Sequence, residues 1–117
     1  MKLQNPLLSC LTILLSLSIG SVIAADDGGT IYKKLCVRCH GPEGKGDGPA
    51  AKLLKNQSMG DLTSKADMSK LSDQDLVKLV AEGGAASGKS KVMPAHKDKL
   101  SEGEIKAVVA YIKTLQK

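Results

Sequence analysis

Apolar and polar positions recur with a helical period in three stretches of the chain, and nowhere with the period of two that marks a half-buried strand. The first runs from about Gly29 to Cys39, with apolar positions 31, 32, 35, 36 and 39 on one face. The second covers about 73 to 82: Ser72 is a good N-cap, Asp73 and Asp75 suit the positive end of the helix, and Gly83 stops it. The third covers about 102 to 116. Ser101 and Glu104 form a capping box there, and Ile105, Val108, Val109, Ile112 and Leu115 make an apolar stripe. A short helical turn is expected from Pro49 to Leu54, since proline is already set in φ for a first helical position. The stretches 56 to 71 and 83 to 100 read as ordered loops. The pattern predicts an all-α fold without internal repeats.

The N-terminus has a different character. Lys2 precedes the apolar run "LLSCLTILLSLSIGSVIAA", which ends in small residues that fit cleavage after Ala24 or Ala25. The expectation is a signal peptide over 1–24 and a mature domain over 25–117, exported to the periplasm by the general route. A retained anchor is the alternative, although Thr12, the serines and Gly20 dilute the run as a membrane helix. Cleavage removes Cys10 and leaves Cys36 and Cys39. A pair two residues apart closes only a small loop, so it makes a poor structural staple.

Composition then sharpens the picture. The chain has no Trp, no Phe and two tyrosines, Tyr32 and Tyr111. Aromatic rings supply much of the bulk of most cores, so a large planar apolar cofactor is expected to fill this one. The formal charge is +5, falling to +4 once Lys2 is lost. A single arginine and few aromatics argue against nucleic acid and favour an acidic protein partner.

The candidate chemistry sits in Cys36-Val37-Arg38-Cys39-His40, at the end of the first helix. Spacing of three places both sulfurs on one face with the imidazole beside them. That suits two thioether bonds to haem vinyl groups and an axial His40, and C-x-x-C-H is the c-type attachment signature. Zinc needs four ligands, and no second cysteine pair exists. A redox dithiol of the thioredoxin kind wants a βαβ setting, and no strand is expected. For a sixth iron ligand the candidates are Met59, Met68, Met93 and His96. Met93 is preferred, because Pro94 stiffens its loop and that loop precedes the last helix. Met59 and Met68 are expected to fill gaps in the core. His96 is a rival ligand, read foremost as a solvated histidine among lysines.

The chain resembles the small class I, monohaem cytochromes c of bacterial periplasms over the whole mature segment. The resemblance implies terminal helices that cross around one covalently bound haem c. It implies attachment at Cys36 and Cys39 and axial ligation by His40 and Met93. Gly28 and Tyr32 match the family's contact positions on the first helix, with Val108 and Tyr111 opposite. Pro49, nine residues after His40, matches the proline whose carbonyl accepts the imidazole Nδ1–H. The chain lacks the Trp that binds a haem propionate in some members.

Two further features stand out in the sequence. "GGAASGKS", Gly83 to Ser90, satisfies the phosphate-cradling pattern, but it follows a helix and Pro94 comes soon after, so no nucleotide is expected. Lys89, Lys91, Lys97 and Lys99 flank Met93, with Lys45 nearer His40, and they form either a solvated surface or a basic docking ring for an acidic redox partner. The expected function is one-electron transfer between proteins by a monomer that is not itself an enzyme. The alternatives are a haem sensor or peroxidase-like protein with a displaceable Met93, or a membrane-tethered subunit of a larger oxidoreductase.

Overall fold

A computed structural model describes residues 25–117 except Asn56 and Ser58; the expected leader lies outside the described residues. Among them are five α-helices, two 3₁₀ turns and no strand. The fold is all-α, as the hydrophobic period requires.

The first predicted helix is split in two, α1 (Gly28–Leu35) and α2 (Val37–His40). Cys36 stands between them at φ −108° and ψ −35°. Hydrogen bonds bridge the break: the Cys36 N–H donates to the Tyr32 carbonyl and the His40 N–H to that of Cys36, both at 2.9 Å. Asp27 starts α1 by accepting from the Thr30 N–H at 2.9 Å.

Two short elements lie where loops were expected. Helix α3 (Lys65–Met68) is a single turn capped by Ser64, and Ala85–Ser87 forms a 3₁₀ turn. Neither is long enough for a hydrophobic period to register. The turn foreseen over 49–54 is the 3₁₀ turn Ala51–Leu53. Helix α4 (Asp73–Glu82) has the predicted bounds, with a full capping box between Ser72 and Asp75. Helix α5 (Glu102–Thr114) begins as predicted, with the Ser101–Glu104 box, and stops two residues early. The chain end then turns aside, where the Lys117 N–H donates to the Thr63 carbonyl at 3.0 Å.

Helix α5 is the centre of the packing, with α1 and α4 both lying against it. Ile31 and Tyr32 of α1 and Val108 of α5 are fully buried between them. The approach is close because Gly28 has no side chain: a Cβ there would run into the Ala107 carbonyl and come within 3.0 Å of the Tyr111 Cβ. Gly28 therefore meets Ala107 and Tyr111, while Val108 fills the interior beside them. The Tyr32 and Tyr111 rings stack at 5.2 Å between centroids, tilted by 46°, a geometry that adds about 0.5–1.5 kcal/mol to area burial.

One further bond turns this helix pair into a frame for the site. The Tyr32 hydroxyl donates to the buried Gly41 carbonyl at 2.7 Å, tying α1 to the loop after α2. That loop folds back on α2 and supplies the donors that its last carbonyls lack. Gly46, Gly48 and Ala50 donate to the carbonyls of His40, Cys39 and Arg38 at 2.9, 3.1 and 2.9 Å. Any side chain on Gly48 would collide with the carbonyls of Val37 and Arg38.

Candidate functional site

Two cavities share a wall beside α2. One, of about 530 Å³, is lined by Cys39, His40, Met59, Leu62 and Met93 among others. The other, of about 50 Å³, is lined by Tyr32, Cys36, Met68 and His96, and again by His40 and Met93. The larger lies in the range of sites that bury a small molecule or cofactor. A surface groove of about 700 Å³ between α4 and α5 holds none of these donors.

The donors arrive from different parts of the chain. The turn at Cys36 and helix α2 bring two thiols and an imidazole to one side. Met93 comes from the segment before α5, whose course is set by two glycines ending α4. Gly83 has φ +84°, and a Cβ on it would lie 2.8 Å from the Met93 carbonyl. Gly84 donates its N–H to that carbonyl at 3.0 Å and accepts from the Lys89 N–H at 2.7 Å. The stretch that mimics a phosphate loop thus follows a helix and folds upon itself, carrying Met93 to the cavity.

Burial governs the electrostatics. It pushes the Cys36 thiol up to about 11, with the neighbouring Cys39 adding to the effect. A thiol held in its protonated form at neutral pH is the opposite of the activated thiolate a dithiol exchanger needs. Burial also lowers the basicity of His40, leaving a neutral imidazole with a free lone pair. His40 Nδ1 is buried with no hydrogen-bond partner. Among the described residues, no group of three or more His, Cys, Asp or Glu side chains could hold a bare metal ion. Two thiols, a neutral imidazole and a thioether around these two adjoining cavities fit a haem that brings its own equatorial nitrogens.

The comparisons agree. The Cytochrome c family profile matches residues 25–116. The chain belongs to the cytochrome c family. In structure it is similar to the KustC0563 c-type cytochrome, with a TM-score of 0.63 and 25% identity over 79% of this chain and 100% of that one. A comparison with the curated proteins found no match. The cytochrome therefore carries covalently bound haem c, and its work is haem-based electron transfer.

Two details of the cytochrome, at His96 and Met59, differ from the sequence reading. His96 is not a solvated histidine: it is 7% exposed. Its N–H donates to the carbonyls of Val80 and Ala81, at 3.1 Å each, which draws it onto the end of α4 and under the loop. Pro49 is held beside α2 by the folded-back loop, and the Nδ1 of His40 is buried without a partner. Met68 is a core residue, as expected, that also lines both cavities, whereas Met59 is only half-buried and lines the larger one.

The lysines are placed unevenly. Lys45, Lys89, Lys91, Lys97 and Lys99 are all exposed, and Lys89 is the one among them that lines the larger cavity. Lys70 lines it too, paired with Asp67 at 3.0 Å. Sequence reasoning missed Lys70, because only the one-turn helix α3 brings it there. No helix among the described residues is long and apolar enough to cross a membrane.

Proposed function

We propose that this cytochrome is a periplasmic, monomeric one-electron carrier with a single haem, attached through Cys36 and Cys39 and ligated by His40 and Met93. One observation carries the reading: His40 and Met93 line both cavities, and the two cysteines of the one C-x-x-C-H motif line one each; Met68 lines both as well, but as a buried core residue. When bound, the haem iron supplies an Fe(III)/Fe(II) couple. The protein supplies the rest. Cys36 and Cys39 fix the position of the group, and His40 offers a neutral nitrogen from a helix end tied to the core through Tyr32 and Gly41. Met93 offers a soft sulfur, which raises the potential relative to a second histidine. Ligation by both side chains would leave no place at the iron for a substrate.

The orphaned His40 Nδ1 is the natural donor to the Pro49 carbonyl once the ring is fixed by ligation, a contact that orients the ligand and tunes its basicity. Lys89 at the cavity, with the exposed Lys45, Lys91, Lys97 and Lys99, would steer an acidic redox partner. The deciding experiment is the absorption spectrum of the exported, oxidised protein. A weak far-red band reports sulfur on ferric haem, and it should be present in the wild type and absent in Met93→Ala. Haem attachment without the band in the wild type would remove Met93 from the ligand set. An intact mass equal to residues 25–117 plus one haem would confirm loss of the leader.

A further inference from the structure

His96 is the buried polar side chain that electron transfer as proposed does not use. It is 7% exposed, and its Nδ1 is buried with no hydrogen-bond partner. Leaving such an atom unpaired is unfavourable, and each case in a folded protein calls for an explanation. The location offers one. His96 lines the small enclosed cavity that His40, Met93 and Cys36 also line. It stands three residues after Met93, and its backbone is anchored on both sides. Its N–H is held by the carbonyls of Val80 and Ala81, and its carbonyl accepts from the N–H groups of Lys99 and Leu100 at 2.9 Å each. The imidazole is therefore kept at the cavity by its own backbone and does not depend on Met93 to stay there. Burial, with Lys99 adding to it, disfavours the imidazolium, so a lone pair is available. A neutral imidazole is a good ligand for iron.

We propose that His96 is a reserve axial ligand, which takes the sixth position of the iron whenever Met93 is off it. This rests on the reading of Met93 as the resting ligand. Its consequence is that losing the sulfur does not open the iron. The protein passes to a second closed state with two histidines, of lower potential, and small molecules stay excluded.

The test uses haem-loaded protein and four forms: wild type, Met93→Ala, Met93→Leu, which keeps the bulk of the side chain, and Met93→Ala with His96→Phe. Haem content is checked in each, so that only loaded protein is compared, and carbon monoxide is the probe of an open iron. The expected result is a far-red band in the wild type only. Both single variants then stay low-spin, with a lowered midpoint potential and little carbon monoxide binding when reduced. The double variant becomes high-spin in the ferric state and binds carbon monoxide fully.

A high-spin single variant that binds carbon monoxide readily, with the band intact in the wild type, overturns the reserve ligand and leaves Met93 in place. A double variant that stays low-spin and closed also overturns it, since another group then fills the position. If the wild type lacks the band and Met93→Ala changes neither its spin state nor its potential, while the double variant opens the iron, His96 is the resting ligand, and both proposals fall together.

Discussion

Tyr32 joins the core to the site through a single atom. Its ring is fully buried against α5, and its hydroxyl reaches the Gly41 carbonyl at 2.7 Å. Tyr32→Phe leaves the ring and strands that carbonyl, which should lower stability by about 1–3 kcal/mol at neutral pH. The effect should shrink in alkali. Burial raises the phenol from its ordinary 10.0 to about 12, with Cys36 and Tyr111 contributing less. The unfolded chain releases the proton near pH 10 and the folded chain only near pH 12, so the proton-linked stability is whole below pH 10 and is lost as pH rises to 12. Chemical denaturation at pH 7, 10 and 12 should show the wild type losing about 2–3 kcal/mol relative to Tyr32→Phe over the upper interval. Gly28→Ala is a second test at this scale, since the new methyl group meets the Ala107 carbonyl, which is backbone and cannot swing away. It should cost about 1–3 kcal/mol by overpacking, measured as a fall in Tm.

At the scale of elements, what could be read from the chain depended on length. Helices α4 and α5 carry a hydrophobic stripe over several turns and a capping box, and their starts fell where predicted. The one-turn α3 and the 3₁₀ turn Ala85–Ser87 are made by caps and backbone bonds alone, which leave no period to detect. The cysteines and His40 were legible because their spacing is itself the chemistry. The burial of His96 was not, because it follows from backbone bonds to Val80 and Ala81, residues far away in the pattern. The Gly83–Gly84 pair was legible as a helix stop, but its role in seating the Met93 segment needed the fold. Caps can be tested directly. Ser101 accepts the Glu104 N–H, and the Glu104 side chain accepts from Ser101 and also from the Asp26 N–H ahead of α1. Ser101→Ala should cost about 1 kcal/mol, read as a shift in the denaturation midpoint with an unchanged slope.

For the molecule as a whole, the proposed docking of an acidic partner is a question of charge. The basic side chains near the cavity are exposed, and the pairs Lys45–Glu43 and Lys70–Asp67 are surface ion pairs of little structural worth. If the lysines around Met93 guide an acidic partner, the bimolecular electron-transfer rate should fall steeply with ionic strength, as the screening length shortens to about 8 Å near physiological salt. Lys89→Glu should lower the rate at low salt several-fold and leave the unimolecular midpoint potential almost unmoved. Stopped-flow rates across a salt series would show this, and a flat series would assign the lysines to solvation alone.

The Gly28–Ala107 contact also sets the order of events in making this protein. The two backbones that must meet belong to the first and last helices described, with nearly the whole domain strung between them. Synthesis delivers the chain from its N-terminal end, so α1 and the cysteines of the C-x-x-C-H motif emerge while α5 is still missing. Until α5 follows, Ile31 and Tyr32 have no surface to rest on, and the thiols stay on an unfolded, accessible segment. The same pairing that closes the finished molecule thus leaves an interval before closure in which a haem could be joined to the cysteines.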